Sequence, residues 1–489
     1  MDSAKVLGKD AWLKSLREKY ESVSEKELKW TQPATIHRVP HIIRRGNESA
    51  YEPEIVAIGP YHRRNVRLWA MEKRKWQYLH SFCTRCGHTW EEVLLKVHEM
   101  VGRAQRCYSS NIDPIEEEDE FVEMMMLDAC FILELFFKSE ERMEGRKDTG
   151  MSTDPVFGHC SKWVVRCVAR DLLLAENQLP FFVLQKIFDS FARPSNTIFA
   201  LVDLAMGFFK ALYHAINYQK KQFLEEEANQ PLHLLHLVHA HFVPQASAGS
   251  SKKSFFSSKS LLPSFKRQNP PEEAHYFQPH KPLPTVPRAQ RLQDSGIRFK
   301  KGEGKNFLDI KFENGVMEIP HFIVDHYTNT FLRNLIAFEQ SYPPSGKRFT
   351  MYAAFMDFVV NTDKDVEILH QHGILDHGLG SEQDIALLFN EICKGLIVEP
   401  EENDKYLLLV SQVIQYSNIP WNMWRAKLNR DYFGNPWTIV SVIAGIVALF
   451  LTFTNTFFNI YSLNSRHAHI NTVLPGSQVS LSSYDVSPQ

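Results

Sequence analysis

Four spacing patterns follow one another along the chain, and the first is helical. "DEFVEMMMLDACFILELFF" (Asp119 to Phe137) opens on acids and is apolar on most faces afterwards. That predicts a buried helix whose acidic first turn complements the helix dipole. "SKWVVRCVARDLLLAENQLPFFVLQKIFDSF" reads as a helix ending before Pro180 and a second one opening near it, because proline lacks the N–H that a helix interior needs. "NTIFALVDLAMGFFKALYHAINYQKKQFLEEE" is a third long amphipathic stretch. The Met and Phe stripes in these helices read as core. Near the start, Trp12, Leu13, Leu16, Tyr20 and Val23 recur at helical spacing, so residues 1–30 are expected to form an amphipathic segment. No uninterrupted apolar run of the kind a secretion signal needs occurs there.

The second pattern is the loss of period. Pro244 to Arg288 is rich in Ser and Pro, and its cations Lys252, Lys253, Lys259, Lys266, Arg267, Lys281 and Arg288 face only Glu272 and Glu273. Such text cannot bury enough apolar surface to offset its ordering entropy, so residues 244–290 are expected to be a disordered basic insertion. Period two then follows in "NFLDIKFENGVMEIPHFIVD". Phe307, Asp309 and Lys311 alternate with Leu308, Ile310 and Phe312, and Asn314-Gly315 leads into Val316, Met317, Glu318 and Ile319. Two short strands about an Asn-Gly turn are predicted. Helical spacing resumes in "NTFLRNLIAFEQ", "YAAFMDFVVNTDKDVEILHQHGI" and "SEQDIALLFNEICKGL".

The last pattern is a continuous apolar run. No Asp, Glu, Lys or Arg lies between Asp431 and Arg466. At about 1.5 Å per residue, a helix from Thr438 to Ile460 is roughly 35 Å long, enough to cross a hydrocarbon core of about 30 Å. A transmembrane helix is expected over 437–461, with Trp437 and Tyr461 at the headgroup levels and Ile439, Ile443, Ile446, Phe450, Phe453 and Phe458 toward lipid. A short polar tail, 462–489, follows. The competing reading is a buried core helix, favoured by Thr452, Thr454, Asn455, Thr456 and Asn459; the hydroxyls can bond back to the preceding turn, whereas the two asparagines are harder to hide. Arg425, Lys427 and Arg430 precede the run and Arg466 follows it, which predicts a cytosolic body. A glycan at the sequon Asn47-Glu48-Ser49 would invert that topology. Ser441 with Gly445, and Ala444 with Ala448, make small-xxx-small pairs through which two anchors could associate.

Composition refines this picture. Charged residues are 23% of the chain, apolar residues 44%, and the net charge is -2, which suits a globular body and argues against a nucleic-acid binder. Seven cysteines, sparse and odd in number, suit a reducing compartment. The fold class expected is mainly α: a multi-helix globular domain over 31–435 with a small β-hairpin and one C-terminal transmembrane helix.

Several stretches jointly resemble a plant family, the domain of unknown function 247 (DUF247, also UPF0481). They are "YEPEIVAIGPYHRR" (Tyr51 to Arg64), "MMMLDACFILELF" (Met124 to Phe136), "RDLLLAENQLPFFVL" (Arg170 to Leu184), "GIRFKK", "FLDIKFENGVMEIP", "RNLIAFEQ", "MDFVVNTDKDVEIL" and "WRAKLNRDYFGNPWTIVS". Ala129 departs from the glycine more usual in the family. The resemblance implies a mostly helical plant protein with one C-terminal membrane segment and no established enzymatic activity. Some grass members are associated with self-incompatibility loci, so such a role is one expectation the resemblance adds.

Candidate chemistry is thin. His233, His236, His239 and His241 lie within one helical stretch, and imidazoles at this spacing suit zinc or copper, yet no carboxylate lies between them to orient the rings. Cys83 and Cys86 form a CxxC followed by His88, without a second ligand pair at finger spacing and inside helical text. "IEEEDE" (Ile115 to Glu120) reads as a solvated first turn. No GxSxG, Walker loop, GxGxxG or HExxH occurs. No catalytic residue, cofactor or metal is therefore assigned. The expectation is a non-enzymatic, membrane-anchored recognition or interaction protein with an unidentified protein partner. Two alternatives remain: a hydrolase using a histidine with Asp128 or Asp171, and a structural membrane scaffold whose basic loop binds lipid.

Overall fold

The computed structural model describes residues 12–20, 34–109, 118–145, 154, 156–158, 161–192, 201–213, 216, 231–242, 285–304, 306–398, 405–433 and 436–472. The chain divides into two compact units, one of residues 1–292 and 297–415, the other of 293–296 and 416–489.

In the first unit, helix α1 (12–20) is exposed, including Trp12, Leu13, Leu16 and Tyr20. Val23 lies outside the described residues. A short helix α2 (His41–Arg44) precedes a non-helical stretch, and then α3 (Trp69–Cys86), α4 (Trp90–His98) and α5 (Val101–Gln105) follow. The long apolar helix is α6 (Glu118–Met143), buried from Phe121 through Phe136 except at Glu123. It runs past Phe137 because its last turns still have partners: Glu141 pairs with Arg85, and Lys138 reaches Asp154 at 2.7 Å. Helices α7 (Ser161–Asp171), α8 (Phe181–Ile187), α9 (Leu201–Leu212) and α10 (Leu234–His241) come next. α3, α4, α8 and α9 pack around α6. Tyr78 lies 4.8 Å from Phe131 between ring centres, and Phe208 lies 5.3 Å from Phe136. Each such ring removed from water contributes about 1.5–3 kcal/mol, so the stripes expected to be core are the core.

The basic insertion falls mostly outside the described residues. Its final residues do not: Val286 is buried and helix α11 (Ala289–Asp294) begins before 290. The predicted hairpin forms from β2 (Lys311–Glu313) and β3 (Val316–Pro320), with Phe312 opposite Met317, and both turn residues take positive φ, Asn314 at 50° and Gly315 at 76°. Two features go beyond it. β1 (Arg298–Gly302) lies parallel to β3, making a three-stranded sheet of order β1-β3-β2. β4 (Phe322–Val324) pairs in parallel with β5 (Leu375–His377).

Helices α12 (Thr328–Ser341), α13 (Arg348–Val359), α14 (Asp363–Gln371), α15 (Glu382–Ile392) and α16 (Lys405–Ser417) complete the order. Their starts are legible: Thr362 and Asp365 form a capping box on α14, and the Ser381 hydroxyl accepts the Asp384 N–H at α15. The second unit carries α17 (Pro420–Phe433) and α18 (Pro436–Thr472). α18 continues about ten residues into the stretch expected to be a polar tail, since no glycine or proline interrupts it before Pro475.

Candidate functional site

Residues 52–62 cross the interior of the first unit without regular structure, and Val56, Ala57 and Ile58 are fully buried. Buried backbone N–H groups need acceptors, and here side chains from two distant segments supply them. The Asp171 carboxylate accepts from Glu54 N at 3.1 Å, Ile55 N at 2.7 Å and Val56 N at 3.0 Å. Asn177 Oδ1 accepts from Ile58 N at 2.7 Å, while its Nδ2 donates to Val56 O at 3.0 Å and Asp171 O at 2.9 Å. Asp128 on α6 accepts from Gly59 N at 2.7 Å and from Lys75 Nζ at 2.5 Å. Lys75 also donates to Ala57 O at 2.6 Å and pairs with Glu72.

Gly59 has φ 72°, and a Cβ built there would lie 2.6 Å from the Gln178 carbonyl oxygen, so only glycine fits. Gln178 Nε2 donates to Leu172 O and Leu174 O, and its Oε1 accepts from Leu235 N. Glu176 accepts from Val39 N at 2.6 Å and from Arg44 at 2.7 Å. Arg170 Nη1 donates to Asp171 and to Glu52 O. The three stretches Tyr51 to Arg64, Met124 to Phe136 and Arg170 to Leu184 thus form one polar clamp. Burial pushes the Asp171 carboxyl up to about 6, against the pull of the Ile55 and Val56 amides and of Arg170.

The first helix of this pair ends before Pro180 as expected, at Asp171, and 172–180 is irregular. The polar side chains of "DLLLAENQ" turn inward to backbone groups, which competes with helix propagation. Pro180 does stand at the start of the next helix.

The histidine stretch is also occupied. His233 Nδ1 accepts from His236 N at 3.2 Å, capping α10, and His236 Nδ1 accepts from Leu232 N at 3.1 Å. His239 Nε2 lies 2.8 Å from Glu339 Oε1. Glu339 in turn accepts from Phe349 N at 2.9 Å and Thr350 N at 2.8 Å, the second and third amides of α13. Burial pushes His233 down to about 3 and His236 well below its ordinary value. Among the described residues no three His, Cys, Asp or Glu side chains are grouped to hold a metal ion.

Cys83 and Cys86 stand on the last turn of α3, not at a helix N-terminus. Burial raises both thiols, Cys86 to about 12, which disfavours the reactive thiolate. His88 pairs with Glu92 at 2.8 Å. Of "IEEEDE", Glu118, Asp119 and Glu120 open α6 and the rest lies outside the described residues.

The apolar run is one helix, and Trp437–Ser462 is long and apolar enough to cross a membrane, with none of its apolar window buried inside the protein. Trp437, Ile443, Ile446, Phe450, Phe453, Phe458 and Tyr461 are exposed, and Ile439 is partly covered. The Thr452, Thr454 and Thr456 hydroxyls donate to carbonyls one turn back, at 2.7, 3.0 and 2.8 Å. A Cβ built at Gly445 meets nothing within 4 Å, leaving the small-residue face open.

Residues 36–451 match the family model described as a plant protein of unknown function, DUF247. The chain belongs to the DUF247 family. It is similar to the UPF0481 protein At3g47200 of Arabidopsis thaliana, 28% identical over 445 residues that cover 90% of this chain and 89% of that one. A second Arabidopsis thaliana UPF0481 protein, At3g02645, is 22% identical over 499 residues, covering 88% and 90%. No solved structure matches.

The boundaries of the DUF247 match have structural meaning. Ile36 at its start is buried and bridges to Tyr108, and Leu451 at its end lies inside α18. The polar clamp and the first half of the apolar helix are therefore both family territory. Sequence reasoning missed the clamp's inward roles for Asp128, Asp171, Glu176, Asn177 and Gln178. The available signal was five polar residues set among the leucines of "RDLLLAENQLP", which amphipathic spacing does not explain.

Proposed function

We propose that this DUF247 protein is a membrane-anchored recognition or interaction module that performs no catalysis of its own. One observation carries the reading: α18 offers a span-length apolar surface of which none is buried in the protein. Leaving that surface in water is unfavourable by about 25 cal/mol per Å², whereas lipid receives it without penalty, and the threonine hydroxyls are already paired within the helix. Arg425, Lys427 and Arg430 on one side against Arg466 on the other favour a cytosolic body. Asp128 and Asp171, the carboxylates a hydrolytic site would draw on, already hold backbone amides, which supports a body built to present surfaces rather than to turn over substrate. Partner recognition of the kind implied by the self-incompatibility association of some grass members is one form this function takes.

Extraction of the full chain in mild detergent tests the reading. Stoichiometric co-purification with a protein partner, or a defined self-associated species through α18, is expected. A clean monomer from several tissues would contradict it.

A further inference from the structure

Helix α17 ends two residues before α18 begins, and it carries an apolar stripe of its own. Trp421 is 68% exposed, Trp424 67% and Leu428 52%. At 100° per residue these three, spaced i, i+3 and i+7, share one face. Asn422 and Ala426, spaced i and i+4, lie away from that stripe and meet the turn at Gln293–Gly296. A Cβ at Gly296, whose φ is 88°, would lie 3.1 Å from the Asn422 carbonyl oxygen and 3.5 Å from the Ala426 Cβ. This close approach fixes which side of α17 faces protein, and it leaves the tryptophans outward. Arg425 and Lys427, both exposed, flank the stripe on its two edges.

Two large indoles standing in water beside a membrane-length helix are unfavourable unless something covers them. The chemistry of the stripe selects the cover. Tryptophan prefers the headgroup level, where its ring is buried and its N–H stays wet. Cations bordering an apolar face match anionic headgroups, and Arg425, Lys427 and Arg430 outnumber the one acid of the helix, Asp431. With only two residues between α17 and α18, this face lies close to the N-terminal end of the span.

We propose that α17 is an interfacial helix. Trp421, Trp424 and Leu428 enter the acyl boundary of the leaflet at the N-terminal end of α18, and Arg425 and Lys427 hold anionic phospholipid headgroups there. This rests on α18 being a span, and it adds a lipid-selective contact that a bare anchor lacks.

The test uses the full-length chain reconstituted into vesicles of brominated phosphatidylcholine, with or without brominated phosphatidylserine. Subtracting the emission of the W421F/W424F double variant isolates the two indoles from the other tryptophans. That difference emission is expected to be blue-shifted and quenched by brominated lipid, about twofold more in the phosphatidylserine vesicles. The R425E/K427E variant is expected to abolish the phosphatidylserine preference while the chain still pellets after alkaline carbonate. Unquenched difference emission in a carbonate-resistant chain would overturn the inference alone, whether water, a second copy or another protein covers the indoles. Equal quenching in both lipids, unchanged in R425E/K427E, would overturn the headgroup contact. Release of the wild-type chain by carbonate would instead overturn the span, and this inference with it.

Discussion

The carboxylate of Asp171 accepts the backbone N–H of Ile55 at 2.7 Å, joining positions 116 apart in sequence. The same carboxylate serves Glu54 and Val56, so one side chain satisfies three consecutive amides on a segment that runs from exposed Glu54 to fully buried Val56. Asp171→Ala leaves those donors unpaired, at about 1–3 kcal/mol each. A loss of at least about 3 kcal/mol in urea unfolding of the detergent-solubilised chain is expected, against little change for the exposed Glu313→Ala. A loss under about 1 kcal/mol would show that the clamp is incidental.

Gly59 and Gly87 share φ 72°, but a Cβ at Gly59 meets the Gln178 carbonyl at 2.6 Å, whereas at Gly87 nothing lies within 4 Å. Gly87→Ala is expected to cost about 1 kcal/mol from backbone strain alone. Gly59→Ala adds a collision with rigid backbone and is expected to lose a further 2 kcal/mol or so in the same unfolding measurement. Equal effects would mean that residues 52–62 do not pass so closely over Gln178.

His233 is held neutral by burial, with its proton affinity pushed down to about 3. The unfolded chain takes up that proton near pH 6.5, so stability falls as pH drops below 6.5, by up to about 1.4 kcal/mol per pH unit for each such ring. Asp171, raised to about 6, acts oppositely between its unfolded value and 6, so the difference between variants is the informative quantity. His233→Asn, which keeps an acceptor for the His236 N–H, is expected to lose less melting temperature between pH 7.5 and 5.5 than the native chain. An unchanged difference would contradict the buried neutral ring.

The proposed topology also makes a chemical forecast. Asn47 Oδ1 accepts from Ala50 N at 3.2 Å at the start of a short 3-10 turn, within an otherwise acceptable sequon. With the body in the cytosol, Asn47 stays unglycosylated, and endoglycosidase treatment of membrane fractions leaves the mobility of the chain unchanged. A shift on treatment would place the body across the bilayer.

Legibility in the sequence tracked periodicity. α6, the Asn314-Gly315 hairpin and α12 to α15 carry their spacing openly, and α14 and α15 carry their caps, as in the Thr362–Asp365 box. The apolar run of α18 is legible from composition alone. β1 escaped notice because its Lys300 and Lys301 mask the inward alternation of Ile297 and Phe299, and its partner β3 is non-local. The clamp escaped for a different reason. An aspartate at a helix end reads equally well as solvated surface or as an acceptor for distant amides, and only the fold shows that Asp171 meets Ile55. α17 stayed inconspicuous because its two exposed tryptophans are ordinary core residues in any local reading.

The claim on which the rest depends is that Trp437–Ser462 resides in lipid. Alkaline carbonate extraction of membranes holding the full-length chain tests it most directly. Retention in the pellet is expected, with a chain lacking 436–462 released to the supernatant. Full-length protein in the carbonate supernatant would contradict the anchor.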